Sequence, residues 1–174
     1  MICSRKAGIE DIPLIRNLAE RSFLPTYKEI LSADQLNWMF DWMYSVDSLQ
    51  QQIEDGHVFF IAYEGDLPCG YVSVERQGDA LFHLQKIYVL PDFQGKHVGQ
   101  YLVQLVFDYV KSLCPGECST VELNVNRNNK AKSFYEHMGF SVARSGDFPI
   151  GNGYYMNDYI MTIKLGYSVN VPKK

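Results

Sequence analysis

Apolar residues recur every three or four positions through the first third of the chain and alternate from His57 onward, so helices are predicted first and strands after them. Ile2 to Ala7 reads as a short edge strand. Glu10-Asp11 open a helix: acidic groups suit its first turn, Pro13 is tolerated there, and Leu14, Ile15, Leu18 and Ala19 form its stripe. It is expected to end near Phe23-Leu24-Pro25. Ser32 followed by Gln35 has the form of a capping box, and the helix it opens carries Leu36, Met39, Phe40 and Met43, with Trp38 and Trp42 alongside. So wide an apolar surface either packs in the core or walls a substrate cleft. A third helix, about Val46 to Asp55, ends at Gly56.

From Val58 to Tyr63 and from Gly70 to Glu75 the period is two, with a turn at Glu64-Gly65-Asp66, which predicts an antiparallel hairpin. Gly78-Asp79 turns the chain into a long strand, Leu81 to Leu90, stopped by Pro91, which cannot donate to a ladder. Leu102, Val103, Leu105, Val106, Tyr109 and Val110 then recur at helical spacing, and Pro115-Gly116 breaks the pattern. A fifth strand follows at Ser119 to Val125, then a helix opened by Asn128-Asn129-Lys130-Ala131 and capped by Gly139. Two further strands are expected, about Phe140 to Gly146 and Tyr154 to Leu165. Strand, turn, helix, strand implies one parallel crossover in an otherwise antiparallel sheet, and such sheets bind ligands where strands part. The fold class is α/β (α+β): a mixed, mostly antiparallel sheet of about seven strands flanked by helices, in a single domain over 1–166 with a tail at 167–174.

The junction from Leu84 to Leu105 carries the chemistry. Gln94-Gly95-Lys96-His97-Val98-Gly99 leads from the strand into a helix whose first N–H groups lack intrahelical partners and whose dipole is positive at that end. That is a seat for phosphate, and Gly95 and Gly99 suit it because a missing Cβ permits unusual φ and close approach of a ligand. A plain tight turn is the competing account. No Gly-x4-Gly-Lys-Ser/Thr loop is present, and the turn lacks the Gly-x-Gly-x-x-Gly spacing of a dinucleotide fold.

The 174 residues, 47% hydrophobic and 21% charged, can bury a core without disulfides and are not disordered. A net charge of −4 leaves no basic footprint for nucleic acid and is compatible with a cationic substrate. Cys3, Cys69, Cys114 and Cys118 come without a signal-like N-terminus, so a reduced cytoplasmic setting is expected, and Cys114 and Cys118 have no second pair with which to hold a metal. No apolar run approaches the roughly 20 residues of a membrane span.

These residues resemble the GNAT superfamily of N-acetyltransferases, which bind acetyl-coenzyme A. The pyrophosphate loop of that family, Gln/Arg-x-x-Gly-x-Gly/Ala after a strand, is similar to Gln94-Gly95-Lys96-His97-Val98-Gly99, except that His97 stands at the first required glycine. The second match is Asn128-x-x-Ala131-x-x-Phe134-Tyr135-x-x-x-Gly139-Phe140. The first helices and the closing Gly151-x-Gly153-Tyr154-x-Met156-x-Asp158-Tyr159-x-Met161 resemble the bacterial branch that includes spermidine/spermine acetyltransferases.

The resemblance implies a cofactor site of Ile87, Tyr88, Val89, Gln94, Gly95, Lys96, His97, Val98, Gly99, Gln100, Asn128, Ala131, Phe134 and Tyr135. It assigns the proton donor to the leaving thiolate to Tyr135 and the oxyanion donor to backbone N–H around Val89. Asn128 would bond the pantetheine arm or cap its helix. Relatives in this branch often carry two strand glutamates where this chain has His83 and Gln85. Alternation puts those two on one face with Ile87 and Val89. His83, with an ordinary pKa of ~6.5, is the candidate base, a structural histidine being the alternative, and Glu75 is a further candidate. Asp158 would bind a cationic acceptor, a surface or turn carboxylate being the alternative, with Tyr27, Tyr154 and Tyr155 walling the acceptor site by cation–π contact. The implied activity is acetyl transfer to a primary amine of a small molecule, a polyamine among them, with a protein or peptide acceptor and a coenzyme-A-binding sensor as the alternatives. A homodimer is left open.

Overall fold

Alternation makes the strands, and turn residues join them. A computed structural model describes residues 1–166; the expected tail, 167–174, lies outside the described residues. The strands β1 (Ile2–Lys6), β2 (Val58–Glu64), β3 (Leu67–Arg76), β4 (Leu81–Val89), β5 (Ser119–Asn126), β6 (Ser141–Gly151) and β7 (Tyr154–Leu165) form one sheet in the order β1-β2-β3-β4-β5-β7-β6. Every neighbouring pair is antiparallel except β4 and β5, the expected parallel crossover. The helices are α1 (Ile12–Tyr27), α2 (Ala33–Tyr44), α3 (Val46–Glu54), α4 (Val98–Leu113) and α5 (Ala131–His137).

Two cores lie against the two faces of the sheet. Ile15, Leu18 and Phe23 of α1, Met39 and Tyr44 of α2 and Leu49 of α3 pack with Phe59, Ile61 and Tyr71. Leu102, Val103, Val106 and Val110 of α4 and Tyr135 of α5 pack with Val72, Phe82, Leu84, Val121 and Leu123. A layer of helices on each face explains why β3, whose sequence alternates, is nevertheless buried at six consecutive residues from Cys69 to Val74.

The structure departs from expectation in five places. Helix α1 runs through Pro25 to Tyr27, because proline removes only one donor and Lys28 N still bonds Leu24 O at 3.1 Å while the Tyr27 ring rests on Phe23 at 5.0 Å. Ser32 caps α2 by accepting from Gln35 N at 3.2 Å, but the reciprocal half of the box is not made: the Gln35 side chain donates to Tyr155 O at 2.9 Å instead. Asn128 is not a helix cap, since Asn129 supplies the side-chain oxygen, accepting from Ala131 N at 3.0 Å. Strand β6 extends to Gly151, where Gly151, Asn152 and Gly153 turn with φ of 111°, 53° and 77°. Its Pro149 is tolerated on an edge strand.

The fifth departure matters most. Ser73 pairs with Lys86 and Val74 with Leu84, so Gln85 is an extra residue bulged out of β4. A bulge shifts the alternation beyond it. Ile87 and Val89 therefore join Leu84 against the α4 core rather than sharing a face with His83, while Tyr88 packs with the α1 to α3 core. Lys86 turns with Tyr88, its ammonium 5.5 Å from the Tyr44 ring and 5.6 Å from the Phe59 ring.

Candidate functional site

Strands β4 and β5 pair only from Leu81 opposite Thr120 to Leu84 opposite Leu123, then continue without pairing to each other. The parting opens two cavities. The larger, about 1000 Å³, lies between β4, β5, α4 and α5; the smaller, about 490 Å³, lies under α2 and α3. Tyr27, Gln85, Tyr88 and Asn124 line both, so the cavities meet at the split and at the bulge.

The larger cavity holds most of the residues expected to bind a cofactor: Ile87, Tyr88, Val89, Gln94, Gly95, His97, Val98, Gly99, Gln100, Asn128, Ala131, Phe134 and Tyr135. Lys96 is outside the wall, exposed, with its ammonium 5.3 Å from the Phe93 ring centroid. Tyr101 N to His97 O, 3.0 Å, is the first backbone bond of α4, so the N–H groups of Val98, Gly99 and Gln100 lack intrahelical partners. Gly95 has φ of 77° and open space around it, as a loop against a ligand needs. Gly99 has a different job: an added Cβ would stand 3.3 Å from Phe134 Cζ, so its hydrogen lets α4 and α5 close together. His97 adopts the left-handed conformation, φ 64° and ψ 17°, and its imidazole meets Gln100 Oε1 at 3.2 Å.

At the split, Leu90 N donates to Cys69 O at 2.8 Å. Donors alternate along a strand, so the N–H of Val89 points the other way, toward the side β5 has left. Tyr135 is buried, and burial raises its phenol above the ordinary value, so it stays protonated at neutral pH. Tyr27 and Tyr88 are likewise raised by burial, with their hydroxyls 3.5 Å apart.

The smaller cavity is lined by Met39, Trp42, Met43 and Tyr155 on one side and by polar groups on the other: Gln52, His57, His83, Gln85, Lys86, Asn126 and Asp158. His83 Nδ1 lies 3.3 Å from Glu122 Oε1. A carboxylate cannot donate, so Nδ1 carries the hydrogen and Nε2 is left to accept a proton. Burial lowers the His83 pKa and Glu122 opposes the shift. Asp158 is 2% exposed and accepts from Asn124 Nδ2 at 3.2 Å; burial raises its pKa, with Asn124 and Arg127 opposing.

Glu75 lines neither cavity. Its carboxylate accepts from His57 Nε2 at 2.6 Å, Gln77 at 2.8 Å and Gln85 at 3.3 Å. Tyr154 also stands outside, 5.6 Å from Trp38 between ring centroids, and its neighbour Tyr155 takes the wall position. Sequence reasoning missed Lys86, Gln52 and His57. A lysine inside an apolar strand was the available signal for Lys86, and the bulge that aims it leaves no mark in the pattern. All four cysteines are free, and the described residues contain no group of three or more His, Cys, Asp or Glu placed to hold a metal.

The mixed sheet, parted at its crossover, thus sets a donor-rich helix start beside one cavity and a cluster of polar side chains beside the other. Residues 55–142 match the family profile described as the acetyltransferase (GNAT) domain. The chain belongs to the GNAT acetyltransferase family. It is 33% identical over 112 residues to an uncharacterized N-acetyltransferase of Methanocaldococcus jannaschii, covering 59% of this chain and 44% of that protein. The matches span 44% to 60% of such curated relatives. Among solved structures, the PaiA N-acetyltransferase of Thermoplasma acidophilum in complex with coenzyme A superposes with a TM-score of 0.78 at 25% identity, over 95% of this chain and 99% of that one. The spermidine/spermine N-acetyltransferase SpeG of Vibrio cholerae shares the fold, with a TM-score of 0.65 at 20% identity over 94% and 92%. Among the described residues no helix is long and apolar enough to cross a membrane.

Proposed function

We propose that this chain is an acetyl-coenzyme A-dependent N-acetyltransferase acting on the primary amine of a small molecule in the cytoplasm. The observation that carries the reading is the meeting of two cavities at the β4/β5 split, with Tyr135 on the wall of one and His83 on the wall of the other. The larger cavity suits coenzyme A: unpartnered N–H groups of Val98, Gly99 and Gln100 can receive the diphosphate, and Asn128, Ala131 and Phe134 can flank the pantetheine arm. When bound, acetyl-coenzyme A supplies a thioester whose acyl carbon forms the new C–N bond as the C–S bond breaks.

The protein's own groups handle the charges. A simple alkylammonium has a pKa near that of lysine, ~10.4, so the acceptor must lose a proton to become nucleophilic. His83 Nε2 takes it, directly or through water. The N–H of Val89 faces the developing oxyanion, Tyr135 gives its phenolic proton to the departing sulfur, and the second proton, shed by the acceptor nitrogen as it becomes an amide, restores the phenol. Asp158 attracts the acceptor's cation, with Tyr27, Trp42 and Tyr155 offering ring faces. A polyamine belongs to this acceptor class.

Calorimetry with coenzyme A, followed by thiol release from acetyl-coenzyme A over small amines and peptides, tests the reading. Binding with turnover on small amines is expected. Failure to bind coenzyme A overturns the donor site, turnover on peptides alone moves the acceptor to a macromolecule, and binding without turnover makes the chain a sensor.

A further inference from the structure

The smaller cavity carries two buried charges of opposite sign that do not meet. Lys86 is 5% exposed and Asp158 2%, both line the same 490 Å³ space, and neither forms an ion pair among the described residues. Lys86 Nζ donates to Gln52 Oε1 at 2.6 Å, which uses one of its three N–H groups. The rings of Tyr44 and Phe59 cover it from α2 and β2. Glu75 acts on Lys86 through space but stands beyond 4.0 Å of it, with His57 Nε2 on one of its own oxygens at 2.6 Å. Burial lowers Lys86 to about 8, so the group is still mostly cationic at neutral pH. A buried charge without a counter-charge is costly, and a ligand that brings the counter-charge recovers that cost on binding.

We propose that the acceptor is an amino-carboxylate, held with its amine toward Asp158 and its carboxylate on Lys86 and Gln52. The inference rests on the acetyltransferase reading and narrows its acceptor. Asn124, which donates to Asp158, lines both cavities, so an amine held at Asp158 stands beside the split that opens to the larger cavity, and Gln85 and Tyr88 on either side of Lys86 border the same split. Lys86 belongs to β4 and Asp158 to β7, with β5 between them; two paired-strand spacings would make roughly 10 Å, and the separation is wider here because β4 and β5 no longer pair beyond Leu84 and Leu123. The amine and carboxylate must therefore be several bonds apart. Met39, Met43 and Trp42 supply an apolar wall for the chain joining them. A diamine of the same length would set a second ammonium beside Lys86, which is repulsive.

The test compares three acceptors of one chain length with acetyl-coenzyme A: ε-aminocaproate, its amide and hexamethylenediamine. The carboxylate compound is expected to exceed both others in kcat/KM by about tenfold or more, equal to about 1.4 kcal/mol. In Lys86→Met the three should converge, with coenzyme A affinity unchanged as the check on folding. Calorimetric binding of ε-aminocaproate to the protein with coenzyme A gives a readout independent of turnover and should be lost in Lys86→Met. Equal or better use of the diamine, or a carboxylate preference that survives Lys86→Met, overturns the inference and leaves the acetyltransferase intact. No coenzyme A binding, or no turnover with any amine, overturns the acetyltransferase reading and this inference with it.

Discussion

His83 on β4 sits directly across the parallel ladder from Glu122 on β5, its Nδ1 3.3 Å from Oε1. The pair stands one step short of the last rung before the strands part, so the imidazole is fixed at the edge of the smaller cavity. Burial holds His83 below the ordinary ~6.5 of a histidine, and Glu122 limits the drop. A base must be neutral to work, so kcat at saturating acceptor should fall only on acidification below about 6.5. In His83→Gln that acidic limb should vanish along with most of the rate. In Glu122→Gln it should move to lower pH, because the carboxylate that favours imidazolium is gone. A pH profile of His83→Gln with the limb intact would remove His83 from the proton path.

Tyr135 is the complementary group. Burial keeps its phenol protonated, and it lines the donor cavity without a hydrogen-bond partner among the described residues. Tyr135→Phe should lower kcat roughly 10²-fold, the usual worth of a placed acid, while coenzyme A affinity measured by calorimetry stays the same. An unchanged rate would return Tyr135 to a packing role between Phe134 and Phe140, whose rings lie 5.4 and 6.0 Å from it.

The wall of the larger cavity was legible because it is built from consecutive residues. Gln94 to Gln100 and Asn128 to Tyr135 each lie on one loop and helix, and local spacing carries their meaning. The wall of the smaller cavity draws on α1, α2, α3, β4, β5 and β7 at once. Strict alternation turns Lys86 away from His83, and only the bulge at Gln85 brings both to one cavity. Nothing in a single sequence marks that extra residue, because the partner that reveals it, Ser73, is 12 or more positions away on another strand. Tyr27 was legible as an aromatic wall, yet its place depends on a helix that continues through Pro25 against the usual rule.

His97 stands where the loop it resembles carries glycine, and its backbone is left-handed. With φ of 64° it occupies the left-handed region, which costs an L-residue with a Cβ about 1–2 kcal/mol. Glycine removes that strain but frees the unfolded chain by about 0.4–1 kcal/mol. His97→Gly should therefore gain between nothing and about 1.5 kcal/mol in urea unfolding, whereas His97→Ala, keeping the Cβ and losing the Gln100 contact, should gain none. If the diphosphate seat is made of backbone N–H groups, coenzyme A affinity in His97→Gly should stay within about threefold of wild type. A large loss would assign the imidazole a direct part in holding the ligand.

On the proposed role of Lys86, acceptor recognition and stability should move in opposite directions. Its ammonium is lowered from 10.5 to about 8 by burial, a penalty of about 3 kcal/mol on the folded state at neutral pH. Between those two values the unfolded chain holds the proton more tightly than the folded one, so stability rises with pH across that window and is flat below it. Lys86→Met removes the penalty while filling the space between Tyr44 and Phe59, but it leaves Gln52 Oε1 without its donor, a cost of about 1 kcal/mol. The variant should therefore be more stable by about 1–2 kcal/mol at neutral pH, seen as a melting temperature raised by about 2–4 °C per kcal/mol, and the advantage should shrink as the pH climbs from about 8 toward 10. Such a result would mean that the wild-type fold carries a strained ammonium whose compensation comes from the acceptor. A Met variant less stable than wild type would mean that Gln52 and the two rings already satisfy the charge, and that Lys86 is a structural group rather than a recognition one.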